Sequence, residues 1–82
     1  MVEIRLTPQA AKQFEKLPKL AKKKVEKALL RLEQNPQAGK ALRGELEGSF
    51  SLRAWPYRII YQFLKKEKIV WIVSVIHRQS AY

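Results

Sequence analysis

Tyr57-Arg58-Ile59-Ile60-Tyr61-Gln62-Phe63-Leu64, Lys65-Lys66-Glu67-Lys68 and Ile69-Val70-Trp71-Ile72-Val73-Ser74-Val75-Ile76 follow one another in the last third of the chain. Two runs rich in β-branched and aromatic residues, joined by a charged tetrapeptide, predict two strands with a hairpin connection. Side chains alternate along a strand, so Tyr57, Ile59, Tyr61 and Phe63 share one side of the first run. That set is the natural core face, and Arg58, Ile60, Gln62 and Leu64 point the other way. The second run is almost continuously apolar, which predicts a central strand buried on both faces. Upstream, Ser49-Phe50-Ser51-Leu52-Arg53 alternates as well, and Trp55-Pro56 reads as a turn or bulge before Tyr57.

At the start of the chain Val2-Glu3-Ile4-Arg5-Leu6 alternates like a short half-buried strand. Thr7-Pro8 supplies an N-cap and a proline at the first helical position, where a missing N–H costs nothing. Ala11, Phe14 and Leu17 then recur at helical spacing, so a first helix is expected over 8–17, ended by Pro18. A second is expected over 19–34, with Ala21, Val25, Ala28, Leu29 and Leu32 on one stripe and Asn35-Pro36 as its stop. From Gln37 to Gly48 the chain holds Gly39, Gly44 and Gly48 and reads as an irregular connection. The expected fold is α+β, β-α-α-β-β-β. One domain over residues 1–82 carries a mostly antiparallel twisted sheet with a helical hairpin on one face.

Composition narrows the function. With 82 residues there is room for one thin core and no second domain. Seventeen Lys and Arg against seven acids, all glutamate, leave a net charge of +10. No cysteine means no disulfide framework, thiolate metal site or cysteine nucleophile. A single histidine without aspartate excludes a Ser-His-Asp triad, and the scattered glutamates suggest no metal cluster. No metal or cofactor is therefore expected. The apolar run Ile69 to Ile76 is too short to span a bilayer, and no targeting signal is read at the N-terminus. A soluble, cytoplasmic domain with an anionic partner is expected, and nucleic acid leads the candidates.

Charge placement sharpens that expectation. Residues 12–31 hold eight basic side chains and two glutamates. Such a run is usually a solvated face. However, Lys19, Lys22, Lys23 and Lys24 fall beside the positive end of the second helix's dipole, where each is mildly unfavourable. A phosphate-tracking patch stands beside the solubility reading. Arg58 is a guanidinium fixed on a rigid strand, facing away from the helices, and suits bidentate phosphate binding. Its alternative is a cross-strand ion pair, for which only Glu45, Glu47 and Glu67 are near in sequence. Trp55 reads as an exposed turn residue able to stack on a base or pack into a partner, and nothing local excludes a core position. Phe14, Phe63 and Trp71 read as core. The closing His77-Arg78-Gln79-Ser80-Ala81-Tyr82 brings together a proton-transfer group, a charge stabiliser and a stacking ring. By spacing alone it reads equally well as a polar tail.

The element order, the string Leu52-Arg53-Ala54-Trp55-Pro56-Tyr57-Arg58-Ile59-Ile60-Tyr61, the preceding Leu42-Arg43-Gly44 and the closing His77-Arg78-x-x-x-Tyr82 together resemble the RelE/ParE superfamily of bacterial and archaeal toxins. The resemblance covers essentially the whole chain. Its closing motif is similar to the RelE branch, whose members are mRNA endonucleases. ParE-like gyrase poisons share the fold and usually lack that ending.

The resemblance implies a toxin of a type II toxin–antitoxin system, held inactive by a cognate acidic antitoxin that alone contacts operator DNA. Released, such a toxin enters the ribosomal A site, cuts mRNA and stops translation. The cut needs no metal: the RNA 2′-hydroxyl attacks the adjacent phosphate and leaves a 2′,3′-cyclic phosphate. By position, Arg58 would grip the scissile phosphate, Arg78 would stabilise developing charge, and Tyr82 would stack on a base. Arg53 would contact the backbone. RelE-type sequences often carry lysines where this chain has Ser49 and Ser51. His77 is left as the expected proton shuttle, since its ordinary pKa lies near neutrality. The alternatives implied are a ParE-like gyrase inhibitor and a catalytically degenerate RNA- or partner-binding module.

Overall fold

The computed structural model describes residues 2–77. Its elements are β1 (Glu3–Leu6), α1 (Pro8–Glu15), α2 (Lys19–Gln34), β2 (Lys40–Ala41), β3 (Phe50–Ala54), β4 (Tyr57–Leu64) and β5 (Ile69–His77). They form one sheet in the order β1-β5-β4-β3-β2, antiparallel except where β1 runs parallel to β5. This is the expected α+β fold with one strand more. β2 lies inside the connection expected to be irregular, and a 3₁₀ turn at Gly44–Leu46 follows it. Lys40 and Ala41 become a strand only because they pair with Ser51 and Phe50.

Both helices start where the sequence placed them, for different reasons. The Thr7 hydroxyl accepts the Ala10 N–H at 3.2 Å and donates to the Val73 carbonyl at 3.0 Å, so it caps α1 and ties it to β5. α1 ends at Glu15 rather than residue 17, because Pro18 disfavours helical backbone at Leu17. α2 begins with no side-chain cap and no acid in its first turn. Lys22 instead lies over the Phe14 ring, 6.0 Å from its centroid.

The helices cover one face of the sheet. Val25, Ala28 and Leu32 of α2 and Ala10 of α1 meet Leu52, Ile59, Tyr61, Val70, Ile72 and Val75, with Phe14, Tyr57 and Phe63 packed at the margin. Truncating a buried aliphatic here would cost about 2–5 kcal/mol. β5 is central but not buried on both faces: Val70, Ile72, Ser74 and Val75 are buried, while Ile69, Trp71 and Ile76 are only partly so. Trp71 thus lies outside the core. It pairs with Gln62 on one side and Arg5 on the other, with the Arg5 guanidinium 5.8 Å from its ring centroid.

Two devices fix the ends of this sheet. β5 carries an extra residue, Val73, between the Ile60–Ser74 and Tyr61–Ile72 pairs. Pairing with β1 stops at Leu6–Ile72, and beyond it α1 serves the β5 backbone: Thr7 binds the Val73 carbonyl and the Gln13 side-chain oxygen accepts the Val75 N–H at 2.7 Å. At the other end the buried Tyr61 hydroxyl accepts the Gly39 N–H and donates to the Pro36 carbonyl, both at 2.9 Å. Burial raises the Tyr61 pKa, and the Gly39 hydrogen bond partly opposes that shift. Gly39 lies so close that a Cβ would meet the Tyr61 hydroxyl and ring and sit 2.9 Å from the Ser51 carbonyl oxygen. That packing brings the next residue, Lys40, opposite Ser51.

Candidate nucleic-acid interface

β3 and β4 position the strand arginines. Arg53 lies directly opposite Arg58, and Arg58 directly opposite Ile76 on β5. Directly opposed residues share a face, so all three project from the side away from the helices. Ser51, Ile60 and Ser74 form the next row, and Lys40 joins that row through its pairing with Ser51. Arg58 is partly buried and Arg53 exposed. Like charges placed directly opposite destabilise a sheet, typically by a few tenths of a kcal/mol up to about 1. An anion held between them turns that repulsion into attraction.

β2 pairs with Phe50 and Ser51, and among the described residues the β3 edge from Leu52 onward has no strand neighbour. A cleft of about 430 Å³ opens there, lined by Arg31, Ala38, Lys40, Leu42, Ser51, Leu52, Arg53 and Arg58. Every charged residue in that lining is a cation. A second cleft, about 260 Å³, runs between α2 and the β3–β4 turn and is lined by Lys24, Lys27, Ala28, Arg31, Arg53, Ala54 and Trp55. Arg31 and Arg53 belong to both. Trp55, in a turn whose bond to Pro56 is cis, is 53% exposed. The Arg53 guanidinium lies 5.8 Å from the centroid of its ring. Lys24 Nζ reaches the Trp55 carbonyl oxygen at 3.5 Å.

The structure therefore brings Arg53, Arg58, Trp55 and Lys24 of the sequence-derived residues to one edge. Lys19, Lys22 and Lys23, on the first turns of α2, line neither cleft. His77 pairs with Tyr57, and the two rings meet edge to face at 5.3 Å. Tyr57 packs against the helix-side core, so His77 is one residue out of step with the row that holds Arg58. His77 thus pairs with the neighbour of Arg58 and sits at the end of β5, one position beyond Ile76, which lies opposite Arg58. Arg78 and Tyr82 lie outside the described residues. Ser49 is buried and accepts a hydrogen bond from Gln62 Nε2 at 3.4 Å, whereas Ser51 lines the larger cleft.

Sequence reading missed Lys27, Arg31 and Lys40. Lys24, Lys27 and Arg31 follow helical spacing beside the buried Val25, Ala28 and Leu32 stripe, a signal present in the sequence. That this stripe faces Arg53 depends on how α2 crosses β3. Among the described residues no three His, Cys, Asp or Glu side chains gather as a metal site would require. No helix among them is long and apolar enough to cross a membrane.

Comparison with known proteins agrees with this architecture. Residues 4–82 match the family described as ParE toxin of type II toxin-antitoxin system, parDE. Toxin RelG of Mycobacterium tuberculosis is 37% identical over 81 residues, 96% of this chain and 93% of the relative. The toxin–antitoxin complex RelBE2 from M. tuberculosis contains a chain that superposes with a TM-score of 0.87 at 34% identity, covering 94% of this chain and 98% of that one. The intact E. coli RelBE toxin–antitoxin complex gives 0.80 at 26% identity, covering 94% and 96%. The chain belongs to the RelE/ParE superfamily of toxins of type II toxin–antitoxin systems.

Proposed function

We propose that this toxin is a metal-independent endoribonuclease that cuts ribosome-bound mRNA in the cytoplasm and so inhibits translation. The observation that carries the reading is the Arg53–Arg58 pair, opposed across β3 and β4 beside a cleft whose charged lining is cationic among the described residues. Such a site suits the trigonal-bipyramidal phosphate formed when the RNA 2′-oxygen attacks phosphorus. The P–O5′ bond breaks as the new P–O2′ bond forms, giving a 2′,3′-cyclic phosphate and a 5′-hydroxyl. One proton leaves the 2′-hydroxyl and one reaches the 5′-oxygen.

Arg58 binds the non-bridging oxygens and Arg53 an adjoining phosphate. A guanidinium does not release its proton near neutrality, so it can stabilise charge but not protonate a leaving group. Among the described residues lining that cleft, the Lys40 ammonium is the group able to do so, and we assign it that step in place of His77. Arg78 and Tyr82, which follow β5 directly in the chain, keep the roles the resemblance implies: charge stabilisation and base stacking. The partner is an antitoxin. Solved relatives are complexes with one, and a net charge of +10 suits an acidic partner. Operator DNA is reached only through that antitoxin.

The match to a family described as ParE toxin favours a second reading, a gyrase inhibitor on the same scaffold. Induced expression followed by mapping of mRNA 5′ ends on ribosomes separates the two. Codon-phased cuts are expected. Intact mRNA with gyrase trapped on DNA would establish the second reading instead.

A further inference from the structure

The smaller cleft adjoins the one just described and shares Arg31 and Arg53 with it. We propose that it is a subsite for the single-stranded RNA flanking the cut, with Lys24, Lys27 and Arg31 on its phosphates and Trp55 against one base. This deepens the ribonuclease reading and rests on it.

Charge, spacing and connection carry the inference. Among the described residues, all charged side chains lining the groove are basic: Lys24, Lys27 and Arg31 from α2 and Arg53 from β3. The three helix cations are exposed, three and then four residues apart, so they form one stripe rising about 4.5–6 Å per step. A strand laid along α2 passes all three. They also flank the buried Val25–Ala28–Leu32 stripe, which fixes the helix rotation that presents them to β3. Across the groove Trp55 exposes half its surface, with the Arg53 guanidinium over its ring. An aromatic plane beside a cation is the platform on which single-stranded nucleic acid is held without sequence readout. Finally, Arg31 and Arg53 line both clefts, so RNA gripped at Arg58 continues into the groove without leaving cationic surface.

The test uses the full chain and 2′-O-methyl RNA, which cannot be cut, so affinity is read apart from catalysis. Binding of a trinucleotide is compared with that of a longer oligonucleotide extended on both sides, by fluorescence anisotropy across a salt series. The parent protein should bind the longer RNA more tightly. Trp55→Ala should weaken the longer RNA by roughly five- to a hundred-fold, the range expected for one lost stacking contact. Lys27→Ala should reduce the slope of log affinity against log salt by about 0.7, one phosphate contact on single-stranded RNA. Both losses should spare the trinucleotide. A length preference lost in these variants supports the groove even if the matching 2′-hydroxyl RNA is never cut, an outcome that would remove only the ribonuclease reading. Equal affinity of the parent for both RNAs would overturn the groove. So would variants that retain RNA binding but lose affinity for an acidic polyglutamate peptide, since the groove would then be an antitoxin seat.

Discussion

Leu52 and Arg53 are adjacent on β3 and belong to opposite faces of one sheet, and their surroundings follow different rules. Leu52 is buried among Ile59, Val75 and the α2 aliphatics. On that side polar atoms at the margins are satisfied: Thr7 and Gln13 serve the β5 backbone, and Tyr61 serves the loop before β2. Arg53 faces another arginine across the ladder and shares its cleft with Lys40 and Arg31. α2 likewise begins without a cap or an acid while carrying Lys19, Lys22, Lys23 and Lys24 beside its positive dipole end. Stability alone accounts for the first face. The second places like charges side by side, an arrangement that a bound polyanion would favour.

The contrast can be broken most sharply at Lys40 and His77. If proton transfer belongs to the cationic cleft, Lys40→Gln should lower single-turnover cleavage about 10²-fold or more. His77→Gln, whose ring packs on Tyr57 with the core-facing row, should stay within a few-fold of the parent. The reverse order would return the proton to His77 and detach the chemistry from the Lys40 row.

A smaller effect tests the stabilising side. Tyr61→Phe leaves the Gly39 N–H and Pro36 carbonyl without their partner and should cost about 1–2 kcal/mol in chemical denaturation. The pH dependence has a definite sign. Burial holds the folded Tyr61 pKa above 10.0, so as pH rises the unfolded chain loses that proton first. The hydroxyl's contribution is complete below about pH 10 and is lost as pH climbs through the folded value. The gap between parent and Tyr61→Phe should therefore be constant near neutrality and narrow in alkali. A gap that widens in alkali would mean the phenol ionises more readily in the folded protein.

The smallest effect has the opposite sign. Arg53→Thr removes a like-charge cross-strand pair and places a β-branched residue on an exposed strand position. It should raise stability by a few tenths to about 1 kcal/mol while weakening RNA binding. Thermal denaturation that shows destabilisation instead would mean Arg53 supports the fold.

Most of the fold was legible because its elements have periods. The Ala21–Val25–Ala28–Leu32 stripe is helical at any tertiary placement, and the alternation of Tyr57 to Leu64 fixes which side meets the helices. β2 was not legible, because two residues have no period; Lys40 and Ala41 are a strand only through Phe50 and Ser51. The apolar β5 run promised two covered faces, but helices lie on one, and Trp71 is shielded by Arg5 instead. At the site, Arg53, Arg58 and Trp55 could be found locally as rigid cations and a turn aromatic. The parity of His77 could have been read from Val75, its buried neighbour two residues earlier. The meeting of Lys27 and Arg31 with Arg53 was beyond local reading, since it depends on the crossing of α2 over β3.

The central claim is that the substrate brings its own nucleophile to a cationic cleft. It is tested most directly with purified toxin and programmed ribosomes carrying either all-ribose mRNA or the same mRNA with one 2′-deoxy nucleotide at the scissile position. A single cut is expected in the first, ending in a 2′,3′-cyclic phosphate, none in the second, and loss of the first with Arg58→Ala. Cleavage of both mRNAs, or undiminished cleavage by Arg58→Ala, would contradict it.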